Sequence, residues 1–166
     1  MQIRHAQTGD LPVIMEIYRH AREFMAASGN PGQWGSSYPT RSVVEGDLSA
    51  GALYVCEDED SIAAVFSYFT GEEPTYRKIE QGAWLNDRPY GFIHRIASAR
   101  RQKGAAAFCI NWCFSQCQNL RIDTHRNNLP MRRLLEKCGF SECGIVYMAD
   151  KSERIAYQKS CGNMNV

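Results

Sequence analysis

The sequence predicts an α/β (α+β) domain: a mixed sheet with helices on both faces, crossed once at its centre and closed by a hairpin. Three observations carry this. A strand, a basic loop, an apolar helix and a second strand follow one another between residues 91 and 123, which makes a crossover with parallel strands. An amphipathic helix precedes the crossover at residues 11–27, where Leu11, Ile14, Met15, Ile17, Tyr18, Ala21, Phe24 and Met25 recur at three and four. Two strand-like runs, 141–148 and 154–159, flank Asp150-Lys151-Ser152 at the end.

Taken in order, residues 2–6 form a short strand, and Thr8 or Asp10 caps the first helix. Ser28-Gly29-Asn30-Pro31-Gly32 stops that helix. Residues 33–39 make a loop with two large aromatics, Trp34 and Tyr38, of the kind that lines a ligand pocket or folds down over the core. A second helix covers residues 40–49. Runs 52–57 and 62–69 pair as an antiparallel hairpin around a solvated acidic turn. Residues 71–89 form a long, charged connection in which 76–79 supply a helical turn. After the strand at 91–97, the helix at 105–117 is apolar almost all round and so is buried on more than one side. A strand at 120–123 follows, then a helix capped by Asn127 or Asn128, with Pro130 in its first turn and Gly139 at its end.

Composition narrows the function. The 166 residues suit one domain, residues 1–166, with a single core. With 19 basic and 18 acidic residues there is no global field to recruit nucleic acid or a membrane surface. Seven cysteines, an odd number without a CxxC pair, read as reduced thiols. The N-terminus carries no apolar signal region and no run is long and apolar enough to span a bilayer, so a cytoplasmic location is expected. Nothing near the acidic turn converges as a metal site.

The basic loop Arg100-Arg101-Gln102-Lys103-Gly104 opens the apolar helix. A helix N-terminus leaves about four N–H groups without intrahelical partners and carries partial positive charge, and three cations crowd the same turn. This is the chemistry of a phosphate seat. It is neither a nucleotide P-loop nor a GxGxxG dinucleotide turn; its pattern is Arg-x-x-Gly-x-Ala, Arg101 through Ala106.

Further along, Asn128-Leu129-Pro130-Met131-Arg132-Arg133-Leu134-Leu135-Glu136-Lys137-Cys138-Gly139-Phe140 resembles the Asn-x-x-Ala-x-x-Leu-Tyr-Glu-Lys-x-Gly-Phe segment of the GNAT family, the GCN5-related N-acetyltransferases. The loop and this segment stand in that family's order and spacing. Residues 92–140 carry the specific resemblance, and the N-terminal third matches in layout. The resemblance implies a mostly antiparallel sheet with a central, splayed parallel strand pair.

It also implies a bacterial small-molecule type of N-acetyltransferase. Acetyl-CoA would be the donor, its pyrophosphate wrapped by Arg101, Gln102, Lys103, Gly104, Ala105 and Ala106. The backbones of Ile96, Ala97 and Ser98 would pair with the pantetheine amides, and Asn128 would hold the same arm. An amine would then attack the thioester directly, in a ternary complex. The family's usual proton donor, a Tyr, falls at Leu135 here, which leaves Cys138, His125 and Tyr147 as replacements. For the base, His94 is favoured: strand alternation puts Phe92, His94 and Ile96 on one face, and an imidazole with an ordinary pKa near 6.5 relays protons at neutral pH. Trp34, Trp84 and His94 would line the acceptor site, where a small-molecule amine, an amino acid or a peptide end fits better than nucleic acid. The missing Tyr also admits a non-catalytic acyl-CoA binding or sensing domain. Sheet edges allow a homodimer, as in many relatives.

Overall fold

The computed structural model describes residues 1–100 and 102–162. Its strands and helices are β1 (Gln2–His5), α1 (Leu11–Ala27), α2 (Arg41–Ser49), β2 (Leu53–Asp58), β3 (Ser61–Thr70), β4 (Gly91–Ser98), α3 (Ala105–Cys117), β5 (Asn119–Thr124), α4 (Leu129–Lys137), β6 (Ser141–Tyr147) and β7 (Glu153–Ser160). The strands follow the order β1-β2-β3-β4-β5-β7-β6. The β1–β2, β2–β3, β5–β7 and β6–β7 pairs are antiparallel, and β4–β5 is parallel. The expected mixed, mostly antiparallel sheet with one parallel pair is therefore present. The chain forms two compact units, one of Met1–Tyr68 with Ile93–Trp112, the other of Phe69–Phe92 with the residues from Cys113 on.

In the first unit the helical period decides what is buried. Leu11, Ile14, Ile17 and Tyr18 of α1 pack with Val44 of α2, Leu53 and Val55 of β2, Val65 of β3 and Ala97 of β4. Burying a side chain such as Ile14 contributes about 1.5–3 kcal/mol. The strand period puts the next residues on the opposite face, where Tyr54 and Phe66 meet Trp112 of α3 with ring centres 5.2 and 6.1 Å away. Helices thus cover both faces of this part of the sheet. Entry into α1 differs from expectation: Asp10 makes no side-chain cap bond to the helix. Its carboxylate accepts the Gln7 N–H at 2.7 Å and grips Arg4 at 2.7 and 3.0 Å.

In the second unit the parallel ladder consists of Gly91 opposite Leu120 and Phe92 opposite Arg121. Above it runs the long connection, which is pinned rather than loose. Its helical turn lies at Pro74–Tyr76, not at 76–79, because the Glu73 carboxylate accepts the Thr75 N–H at 3.1 Å and Pro74 supplies a helical φ. Asn119 Nδ2 donates to the carbonyls of Arg88 (3.2 Å) and Pro89 (3.0 Å), and Gln158 Oε1 accepts the Leu85 N–H at 2.7 Å. Glu80 pairs through its backbone with Ile145. The approach there is so close that a Cβ on Gly82 would stand 1.9 Å from the Cys143 carbonyl oxygen.

Candidate active site

The seat expected for phosphate lies in the first unit. Gly104 has φ +85°, a left-handed conformation that side chains resist, while a Cβ there would meet no protein atom within 4 Å. Glycine is thus favoured by the backbone turn, not by protein packing. The Gly104 carbonyl accepts the Phe108 N–H at 2.9 Å, the first bond of α3. The N–H groups of Ala105, Ala106 and Ala107 therefore sit in the turn whose donors lack intrahelical acceptors. Gln102 and Lys103 are exposed beside them, Ala105 is buried and Ala106 is half-buried; Arg101 lies outside the described residues. Arg100, which the motif did not single out, has φ +59° and sets its guanidinium 3.6 Å from the centre of the Phe24 ring. No spacing rule could pair a loop arginine with a helix so far away in the chain.

On β4, Ile96 and Ala97 are buried, and His94 and Ser98 are half-buried. Arg95 between them has φ +56°. A left-handed residue interrupts the pleat, so simple alternation does not carry the face of Phe92 and His94 through to Ile96. The Arg95 carbonyl accepts the Tyr18 hydroxyl at 2.8 Å. Its guanidinium makes a bidentate pair with Asp47, at 2.7 and 2.8 Å, and donates to the Tyr38 hydroxyl at 2.9 Å. Trp34 is half-buried, edge-on to Tyr18 at 5.7 Å and to Tyr38 at 6.4 Å. The loop tryptophan thus folds down against the core of its own unit.

The second unit holds the other expected residues. Asn128 is buried as the N-cap of α4, its Oδ1 accepting the Met131 N–H at 3.3 Å. Leu135 is 0% exposed. Cys138 is the C-cap of the same helix, and burial pushes its thiol up, against the pull of Lys159 and Lys137. Half-buried His125 accepts the Asn127 N–H at Nδ1, 3.1 Å away, which puts the proton of the neutral ring on Nε2. Burial, then Arg154 and Arg126, hold its pKa below the ordinary value. The Tyr147 hydroxyl donates to Glu80 Oε2 at 2.9 Å, and that bond first, then burial, raises the phenol's pKa. Trp84 donates its indole N–H to the Tyr76 carbonyl at 2.9 Å and presents its ring to Arg121, 4.1 Å from the ring centre. Its N–H and one face are therefore used within the protein.

A polar pair that spacing could not reveal completes this unit. The Tyr76 hydroxyl donates to Asp123 Oδ2 at 2.7 Å, and Arg154 Nε lies 4.0 Å from the same carboxylate. Burial first, then Asp123, raises the Tyr76 phenol well above its ordinary pKa. Among the described residues no three His, Cys, Asp or Glu side chains cluster as metal ligands, and no helix is long and apolar enough to cross a membrane.

Comparison with known proteins places this architecture. Residues 14–140 match the family model described as acetyltransferase (GNAT) family. The structure of a GNAT-family acetyltransferase from Streptococcus agalactiae superposes with a TM-score of 0.89 at 30% identity, covering 98% of this chain and 96% of that one. A ribosomal-protein-alanine N-acetyltransferase from Brucella melitensis shares the fold at 18% identity, with a TM-score of 0.65 over 97% of this chain and 100% of that one. So does a chain of the NatC complex bound to Gag peptide and CoA, at 14% identity, with a TM-score of 0.64 over 98% and 100%. No curated protein matches the sequence. The family match over most of the chain, together with the relative from Streptococcus agalactiae, establishes that this chain belongs to the GNAT family and is an acyltransferase.

Proposed function

We infer that the protein transfers an acetyl group from acetyl-CoA to the amine of a small molecule, an amino acid or a peptide end. The observation that carries this reading is the turn at Gly104, whose left-handed backbone opens α3 among basic residues immediately after β4. Such a turn suits a pyrophosphate: backbone N–H donors meet the anion, and Lys103 and Arg101 add charge. Acetyl-CoA, when bound, supplies the activated acyl carbon. In the first unit we assign the backbones of Ile96, Ala97 and Ser98 to the pantetheine amides, and in the second unit we assign Asn128 to the same arm.

The transfer forms an N–C bond and breaks the C–S bond; the amine loses a proton and the departing thiolate gains one. His94 is assigned the first of these proton transfers, directly or through water. His125 suits it less, because its Nδ1 already accepts the Asn127 N–H and its Nε2 carries the ring proton. For the second, Cys138 keeps its proton at neutral pH, since burial raises its pKa. Tyr147 is less suited, its proton being shared with Glu80. Trp34 and Trp84 are assigned to the acceptor site through their ring faces and edges.

The test is turnover of acetyl-CoA against a panel of small amines, amino acids and peptides, with acetylated product read by mass. Formation of one product class, lost in His94→Ala, is the expected result. Saturable binding of acetyl-CoA without transfer to any amine would overturn the amine-acceptor reading and leave a binding module.

A further inference from the structure

We propose that Arg95 is a positioning residue that makes the aromatic loop at 33–39 answer to what binds at the end of β4. The proposal rests on the reading above, in which β4 and the turn after it receive the donor. The argument stays within the first unit. Arg95 does two different things with one residue. Its backbone, at φ +56°, turns β4 immediately before Ile96, Ala97 and Ser98, and the Tyr18 hydroxyl from α1 holds that turn by its carbonyl at 2.8 Å. Its side chain reaches away to α2 and the loop. Nε and Nη2 grip Asp47, and Nη1 donates to the Tyr38 hydroxyl at 2.9 Å.

The attachment to Asp47 is the stiff one, while the Tyr38 hydroxyl takes its bond at an exposed position. The side chains of Arg95 and Asp47 are 13% and 11% exposed, so water screens the pair weakly, and a planar fork on a carboxylate has one good geometry. Asp47 is itself held by the Ser67 hydroxyl of β3 at 2.6 Å. On the loop side, Tyr38 N–H donates to the Trp34 carbonyl at 3.2 Å, and the Trp34 ring meets both Tyr38 and Tyr18 edge-on. Tyr18 therefore touches the β4 turn with its hydroxyl and the loop with its ring. A shift of the Arg95 backbone that accommodates a ligand along β4 pulls on the Tyr18 hydroxyl through the carbonyl and on Tyr38 through the guanidinium, or breaks one of these bonds. Linked sites of this kind typically change each other's affinity by about fivefold or more.

Arg95→Lys keeps the charge and removes the fork; Tyr38→Phe keeps the ring, the ion pair and the fold, and removes the tether alone. Hydrogen–deuterium exchange is followed in both variants and the original protein, with and without saturating acetyl-CoA. In the original protein acetyl-CoA is expected to slow exchange at 104–108 and also at 34–38. In both variants the first effect persists and the second is lost. Once an acceptor is in hand, its KM rises about fivefold in either variant while the dissociation constant of acetyl-CoA measured without acceptor stays within about twofold. Slowing at 104–108 with no effect at 34–38 in the original protein, or an unchanged effect in both variants, overturns the role of Arg95 and leaves the donor site standing. Absence of slowing at 104–108 overturns the donor site, and the positioning role with it.

Discussion

The guanidinium carbon of Arg121 lies 3.9 Å from the centre of the Tyr90 ring. The same guanidinium lies 4.1 Å from the ring centre of Trp84 and donates to the Asn86 carbonyl at 2.8 Å, in a residue only 5% exposed. Burial pulls its pKa down, and its Nε has no hydrogen-bond partner. The cation is thus held by two ring faces and the Asn86 carbonyl, with the Tyr90 hydroxyl and the Asp87 carboxylate also favouring its charge, and it fastens the long connection to β5. Arg121→Ala should cost about 2–4 kcal/mol through the cavity and the lost ring contacts. Arg121→Met, which refills the space without a buried charge, should cost about 1 kcal/mol. Urea unfolding of both decides it: equal losses would mean that filling the space contributes nothing.

Gly104→Asp separates folding from ligand binding. Asp tolerates a left-handed backbone better than most residues, and a Cβ at this position meets no protein atom within 4 Å, so the fold should lose about 1 kcal/mol. Its carboxylate would, however, repel a phosphate at the start of α3. At 100 times its dissociation constant a ligand stabilises by about 2.7 kcal/mol, several degrees in Tm for a domain of this size. The original protein should show that shift with acetyl-CoA, and the variant should show none. A shift of equal size in both would remove the Gly104 turn from the binding site.

Gly82 and Cys143 make a sharper steric prediction. Since a Cβ on Gly82 would come within 1.9 Å of a backbone oxygen, no side-chain rotation can relieve the clash. Gly82→Ala should destabilise by about 1–3 kcal/mol or peel the connection from β6. Gly9→Ala, where a Cβ meets nothing within 4 Å, is the control and should leave the denaturation midpoint nearly unchanged.

How far the sequence was legible follows from the same residues. The α1 face, the hairpins and the crossover repeat with a period, and a period survives in the chain as spacing. The Gly104 turn and the Asn128 cap are local signals, read within a few residues of where they act. In the sequence Arg121 is an ordinary charged residue in a short strand, since only the folded connection brings Trp84 and Tyr90 to it. The left-handed backbone of Arg95 leaves no mark either; it is held from a distance by Tyr18, Asp47 and Tyr38. Tyr76 enters the sequence reading only as part of the turn at 76–79, and its bond to Asp123 spans the gap between two elements that spacing cannot relate.

The depressed pKa of His125 has a consequence for stability. Burial first, then Arg154 and Arg126, disfavour its charged form in the folded protein. Below about 6.5 the unfolded chain therefore binds a proton that the folded chain resists. Stability is full above about 6.5 and falls as the pH drops from there through the folded pKa. His125→Gln should flatten that part of the stability curve while retaining a side-chain acceptor for the Asn127 N–H. An unchanged slope between the original and the variant would assign it to another group.

The fully buried Leu135 bears on the proton that the leaving thiolate needs. If the position were merely a vacated slot for an acid, Leu135→Tyr would raise kcat without harm. A side chain 0% exposed leaves no room for a larger ring, and its hydroxyl would need a partner within the core. We expect Leu135→Tyr to lose about 1–3 kcal/mol through overpacking, with kcat no higher than before. Cys138, at the end of the same helix, has a thiol that burial keeps protonated at neutral pH. Cys138→Ala should then lower kcat by about 10²–10⁴ with the KM for acetyl-CoA unchanged, the range for removal of one general acid. Should Cys138→Ala keep its kcat while Leu135→Tyr behaves as expected, the thiolate leaves without a side-chain acid and takes its proton from water. A gain in kcat from Leu135→Tyr would instead show that α4 still accepts the acid at that position.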